Sequence, residues 1–292
     1  MTGNDFLEKV LRAQSVQPGS PEMKTLEQAR ADVEALVRSA FSDCSPTIRY
    51  GGSKMKNTMN LEDFDLDIIV YFPRHDTRAG KTIKEIYWNV HDALRTKYSV
   101  DPRTTALRVK DEDRDLKIDV VPGRFIDDSK TFAFVHQNGG PKDYLQTNLD
   151  RHIEHVRDSG HTNEIRLTKL WRPCVGLKIR TFPLELMVIK ILDASRATGL
   201  EARMLHVLTA FRDTIDSISI EDPANSGNDL SDALDSDLRR AVSIAAASTL
   251  RTVASHGWEP VFRAVMDADS SARNEALRVN IISSSRTQPW CA

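Results

Sequence analysis

The run Phe64-Asp65-Leu66-Asp67-Ile68-Ile69-Val70-Tyr71-Phe72 sets two acids among large apolar residues with a period of two. On a β-strand successive side chains point to opposite faces. Phe64, Leu66, Ile68, Val70 and Phe72 therefore share an apolar face, while Asp65 and Asp67 share the other. A third acid, Asp119, sits in a similar run, Leu116-Lys117-Ile118-Asp119-Val120-Val121-Pro122, and a Gly51-Gly52-Ser53 turn lies just upstream of the first strand. Two carboxylates held close together resist joint ionisation unless a cation lies between them. Magnesium suits such a cluster, since it takes hard oxygen ligands and completes its shell with substrate phosphates; manganese is the alternative ion.

This combination can organise phosphoryl transfer. Gly51 and Gly52 let the backbone approach a triphosphate, and the turn amides, the start of the following short helix and the Ser53 hydroxyl can donate to phosphate oxygens. Asp65 and Asp67 can bridge two ions roughly 3.5–4 Å apart. One ion would hold the triphosphate. The other, also bound by Asp119, would lower the pKa of an attacking hydroxyl, and in-line attack on the α-phosphate would release pyrophosphate.

Composition restricts the alternatives. The chain has 292 residues, 40% of them hydrophobic and 28% charged, with a formal net charge of −2. That charge argues against gripping long nucleic acid over a whole surface, which rests on many lysine and arginine contacts to phosphate. A local basic cleft from Lys54, Lys56, Arg166, Lys169 and Arg172 is compatible with it. No apolar run approaches the ~20 residues of a membrane span, and the opening residues lack the layout of a secretory signal. The expectation is a cytoplasmic enzyme with no membrane contact. Cys44, Cys174 and Cys291 are far apart and read as free thiols.

Along the chain, helical spacing over Asp5–Phe41 is broken at Gln17–Pro21, with Ser20 as N-cap and Pro21 at the first helical position of a second helix. Thr47–Tyr50 reads as a strand, Thr82–Tyr98 as a helix, and Ala106–Val109 and Leu116–Val121 as strands joined by a solvated loop over Lys110–Asp115. From about Pro141 helices dominate: Thr147–Asp158, Asn163–Leu170, Phe182–Thr198, Glu201–Ile215, Leu230–Ala254 and Pro260–Ala268. The loop Glu221–Asp229 is rich in turn residues.

Gly52-Ser53, Asp65-x-Asp67 and Asp119, in this order, resemble the signature of the DNA polymerase β-like nucleotidyltransferase superfamily. Asn163–Arg172 is similar to a helix of oligoadenylate synthases, archaeal-type CCA-adding enzymes and the bacterial CD-NTases (cGAS/DncV-like nucleotidyltransferases). There the lysine matching Lys169 reaches the triphosphate. Phe182–Val188 resembles the apolar helix that follows, with its internal glutamate, and Asp222-Pro223-Ala224-Asn225 an Asp-Pro loop with a downstream asparagine. The resemblance spans about Thr47 to Asp229. It implies an α+β fold with a mixed-sheet polymerase β-like nucleotidyltransferase core and a helical C-terminal lobe. The division expected is a catalytic domain with N-terminal helices over 1–140 and a lobe closing the nucleotide cleft over 141–292. The implied site comprises Asp65, Asp67 and Asp119 as catalytic metal ligands, with Gly52, Ser53, Lys169, Asp222 and Asn225 on the nucleotide.

The activity this implies is joining nucleoside triphosphates, ATP among them, into a cyclic di- or trinucleotide messenger for antiviral (CBASS-type) signalling. A template-independent RNA nucleotidyltransferase and a catalytically silent nucleotide-binding protein are the competing readings. The segment Tyr144–His152 departs from the CD-NTase pattern by carrying Leu149 in place of a usual proline. His152 and His155 read as a surface pair, Trp171 as core, and the Asp222 loop on its own as a helix cap. The tail Ser283–Ala292 invites comparison with CD-NTases that an E1/E2-like partner conjugates through their C-termini.

Overall fold

The computed structural model describes residues 1–62, 65–140 and 142–266. Helices α1 (Gly3–Ala13) and α2 (Pro21–Ala40) open the chain, and the Ser20 hydroxyl caps α2 by accepting from the Met23 amide at 3.2 Å with Pro21 in the first turn. Strand β1 (Thr47–Tyr50), the one-turn α3 (Gly52–Met55), strand β2 (Leu66–Phe72) and helix α4 (Ile83–Leu94) follow. Then come β3 (Ser99–Pro102), β4 (Leu107–Asp111), β5 (Leu116–Phe125), β6 (Ala133–His136) and β7 (Tyr144–Thr147).

These seven strands form one mixed sheet in the order β1-β2-β5-β4-β3, with β6 pairing both β5 and β7. Strands β2 and β5 run parallel; β1 and β4 pair with them antiparallel. The alternation in β2 fixes which way the sheet faces. Leu66, Ile68, Val70 and Phe72 are buried with Ile118, Val120, Leu107 and Val109 against α2 and α4. Each such side chain contributes about 1.5–3 kcal/mol on burial. A one-residue slip would exchange that face for Asp67, so hydrophobic burial holds the acids on the opposite face. Phe64 lies outside the described residues.

The rest is mainly helical: α5 (Leu149–Arg157), α6 (Thr162–Cys174), α7 (Thr181–Asp193), α8 (Leu200–Asp213), a two-stranded hairpin of β8 (Glu221–Asp222) and β9 (Asn225–Asp229), then α9 (Ser236–His256) and α10 (Glu259–Met266). Its core takes in Leu7, Val10 and Leu11, so α1 packs with the helical half although it is first in sequence, while α2 packs on the sheet. Gln14, at the end of α1, joins the two halves. It is buried, donates Nε2 to the Val265 carbonyl at 2.6 Å, and accepts from the Glu62 amide at 2.9 Å.

Several details differ from the sequence reading. Strands β3, β6 and β7 were not expected; each is four residues long, too short for alternation to stand out, and β7 carries the sheet past residue 140. The charged β4–β5 connection is not wholly solvated. Asp111 is buried and bonded to Arg114 at 2.5 Å, and Arg114 also reaches Asp32 at 2.7 Å. The Asp222 segment forms a hairpin rather than a helix cap. Among the described residues no helix is long and apolar enough to cross a membrane, and Cys44 and Cys174 are free thiols. Cys291 and the Ser283–Ala292 tail lie outside the described residues.

Candidate active site

Parallel pairing of β2 with β5 sets Asp67 directly beside Asp119, and antiparallel pairing of β5 with β4 sets Asp119 beside Arg108. Cross-strand partners face the same side of a sheet, so the three form one row, Asp67, Asp119, Arg108, opposite the α2–α4 core. Asp65 immediately precedes β2. The three acids expected from the sequence thus converge on one face.

The glycine turn closes over the end of this row. The Gly51 amide donates to the Asp67 carbonyl at 3.0 Å, anchoring the turn to β2. Gly52 has a φ of +55°, and a Cβ there would overlap the Asp67 carboxylate. Glycine is needed at 52 for backbone conformation and for space together. Ser53, the next residue of α3, is half-buried beside it.

The acids carry surplus negative charge. Burial first, then Asp119 and Asp65, push the Asp67 carboxyl up to about 7, against the opposing pull of Lys56 and Lys169. A carboxyl raised this way by like charges favours a bound cation, and the donor set is hard oxygen, as magnesium or manganese requires. Asp65, Asp67 and Asp119 supply oxygen donors of the type such an ion takes. The arrangement is not ready-made, however: among the described residues no three His, Cys, Asp or Glu side chains are grouped as a metal cage. Asp119 is turned toward Arg108, which donates Nε to Oδ1 at 2.8 Å and Nη2 to Oδ2 at 2.6 Å.

Two lysines flank the acids, Lys56 from the segment after the glycine turn and Lys169 from the helical side. Lys56, just after α3, pairs with Glu185 of α7 at 2.8 Å, and the Thr58 hydroxyl donates to the other Glu185 oxygen at 3.0 Å. Lys169 of α6 is buried and donates to the Thr58 carbonyl at 2.9 Å. Both ammonium groups act on Asp67. Glu185 is 1% exposed, and a buried carboxylate needs such partners. It thereby fixes α7 to the loop that follows the glycine turn.

Other expected residues are placed differently. Asp222 is buried, pairs with Nε2 of His152 at 2.6 Å and accepts from the Ala224 amide at 2.9 Å. Asn225 accepts from the Gly227 amide at 3.2 Å within the same hairpin. Both side chains shape this hairpin, and the His152 ring that Asp222 holds lies 4.8 Å from Phe182, itself 4.2 Å beneath the Lys56 ammonium. His152 is therefore not a surface histidine. Nor do all the basic residues gather at the acid row: Lys54 and Arg166 line a separate hollow with Gln17, Met23, Asn57 and Met59. Arg166 bonds Asn60, Ser15 and the Leu11 carbonyl, Arg172 bonds the Ile179 carbonyl and Thr181, and Lys54 lies 3.7 Å over the Tyr50 ring. Trp171 is core, with Nε1 donating to Thr249 at 2.9 Å.

Arg108 was missed in the sequence. Its signal was there: pairing Leu107-Arg108-Val109 with Ile118-Asp119-Val120 across their hairpin puts Arg108 opposite Asp119 once the register is worked out.

No protein-family model matches the sequence, and no curated protein matches it. Solved structures do. The CD-NTase CdnG of Bradyrhizobium diazoefficiens, in complex with GTP, superposes with a TM-score of 0.69 over 95% of this chain and 98% of that one, at 13% identity. CdnC of E. coli MS115-1, with ATP, gives 0.65 over 89% and 98%, at 17% identity. The chain has the CD-NTase fold. Escherichia coli DncV in its 3'-deoxy GTP bound form shares this CD-NTase fold too, with a TM-score of 0.64 over 98% of this chain and 83% of that one, at 18% identity. At such identities the likeness concerns architecture, and the chemistry has to be argued from the residues.

Proposed function

We propose that the chain is a nucleotidyltransferase of the CD-NTase type that joins nucleoside triphosphates into a cyclic di- or trinucleotide. The observation that carries this reading is the adjacency of Asp67 and Asp119 in paired strands, with Gly52 packed against the Asp67 carboxylate. Solved structures of the same fold hold GTP or ATP, which supports a nucleotide as substrate.

In this reading Asp65, Asp67 and Asp119 hold two magnesium or manganese ions. When bound, these ions offset phosphate charge and make the attacking hydroxyl more acidic. The chain itself does the positioning. Gly52 and Ser53 present the turn to the triphosphate, and Lys169, Lys56 and the helical half close over it as a lobe. A ribose hydroxyl oxygen bonds to the α-phosphorus, the bond from that phosphorus to the β-phosphate bridging oxygen breaks, pyrophosphate leaves with the electron pair, and the hydroxyl proton passes to water. A second such step closes a dinucleotide ring, and a trinucleotide ring takes a third, each releasing one pyrophosphate. Asp222 and Asn225 act by fixing the hairpin beside α5. A cyclic messenger of this kind belongs in antiviral signalling of the CBASS type inside the cell.

The test is to incubate the purified protein with single and paired nucleoside triphosphates and magnesium or manganese, and to identify products by mass. A cyclic product and pyrophosphate are expected. Extension only of added RNA would instead point to the RNA-extending relatives, and absence of turnover to a binding protein.

A further inference from the structure

Arg108 uses both oxygens of Asp119. Its Nε reaches Oδ1 at 2.8 Å and its Nη2 reaches Oδ2 at 2.6 Å, the two-pronged geometry in which a guanidinium grips a carboxylate most firmly. The contact is built into the sheet, because the two residues are register partners on β4 and β5. The guanidinium also answers to the wider cluster: its protonated form is favoured first by the Asp119 hydrogen bonds, then by the charges of Asp119, Asp65 and Asp67. Both Asp119 oxygens already accept from Arg108, so an ion taking Asp119 as a ligand competes with the guanidinium for those oxygens and meets its positive charge at close range. A histidine or lysine there could yield by losing its proton. An arginine cannot, since it stays charged at any working pH, so it must swing aside.

We propose that Arg108 is a resident cation that occupies Asp119 in the metal-free protein and has to release it before the second divalent ion binds, so that Arg108 sets the metal affinity of the site. Surplus charge on the acid row is thereby offset at rest, and the site is completed only when the metal displaces the guanidinium. A cross-strand pair of opposite charges is also an ordinary sheet stabiliser. That bland role would change melting temperature and leave metal binding alone. The inference rests on the two-ion reading of the acids.

The deciding experiment titrates Mn2+ into the full chain without nucleotide and follows free Mn2+ by electron paramagnetic resonance. Wild type, Arg108→Met, Arg108→Lys, Asp67→Asn and the double variant Arg108→Met/Asp119→Asn are compared. Arg108→Met should bind one Mn2+ about tenfold more tightly than wild type, equivalent to about 1.4 kcal/mol. Arg108→Lys keeps the charge but not the two-pronged grip, so it should fall between them and covers the case in which the methionine variant folds poorly. The gain should vanish in the double variant. Wild-type Mn2+ affinity in both single Arg108 variants, with binding lost in Asp67→Asn, would overturn the Arg108 inference and leave the two-ion site standing. Absence of Mn2+ binding in wild type and in both single Arg108 variants would overturn the two together.

Discussion

The Asp67 carboxylate fills the space that a side chain on residue 52 would need, and the Gly52 φ of +55° would strain any other residue there. Gly52→Ala should therefore cost about 1–3 kcal/mol and displace Asp67, cutting nucleotide turnover by about a hundredfold or more. Gly51 is the control. A Cβ on Gly51 would lie 3.2 Å from Ile69 side-chain atoms that can shift, and the backbone there is extended, so Gly51→Ala should lose far less. Equal losses in melting temperature and turnover for the two variants would contradict the close packing.

Metal-free stability should depend on pH through Asp67. Its carboxyl stands at about 7 in the fold against an ordinary 3.8. A raised folded pKa means the ionised form is penalised by folding: the penalty is absent below about pH 4, grows between 4 and 7, and is constant above. In EDTA, Asp67→Asn should melt close to wild type at pH 4 and progressively higher than wild type up to pH 7, by roughly 2–4 °C for each kcal/mol relieved. A melting-temperature difference that is flat from pH 4 to 8 would refute this. The same ionisation should make metal affinity rise with pH up to about 7.

Asp65→Ala and Asp67→Ala should lower turnover by about a thousandfold with the fold retained, because each removes one of the like charges crowded along the acid row. Asp119→Asn should spare nucleotide binding more than turnover. Calorimetric titration of a nucleotide beside rate measurements separates these effects, and near-wild-type turnover in any of the three would remove that acid from catalysis.

Glu185 is a positioning residue. Glu185→Ala leaves the Lys56 ammonium without its partner in a largely buried place, at a cost of about 3–5 kcal/mol. Glu185→Gln keeps a bond to Thr58 and should cost less, while still loosening Lys56 and weakening nucleotide affinity. Thermal melting and nucleotide titration together check this; unchanged nucleotide affinity in a folded Glu185→Gln protein would confine Glu185 to a packing role.

Lys169→Met should weaken triphosphate binding about tenfold and move the pH at which metal binds upward, since the lysine charge holds the Asp67 carboxyl down. A pH profile of Mn2+ affinity identical to wild type would exclude that electrostatic role.

The diaspartate strand was legible because alternation carries register information: Leu66, Ile68, Val70 and Phe72 leave Asp67 one direction to face. Ser20 and Pro21 marked the start of α2 through cap chemistry, on top of the helical spacing of its apolar residues. What stayed hidden depends on pairing between distant segments. Arg108 needed the β4–β5 register, Asp222 needed α5 folded against its hairpin, and α1 gave no hint that Leu7 and Val10 would pack with helices from the far half of the chain. Arg166 shows the converse. A basic residue on a motif helix suggested substrate contact, yet its guanidinium is spent on Asn60, Ser15 and the Leu11 carbonyl.

Because α1 belongs to the helical core and α2 to the sheet, the polypeptide passes between the halves near Gln14 and again between Thr147 and Leu149. Those crossings are not the sole ties. To move one half against the other, the Gln14 bonds to Val265 and Glu62 would have to break together with the Lys56–Glu185 and Lys169–Thr58 bonds beside the acids, so the two halves are held as one block.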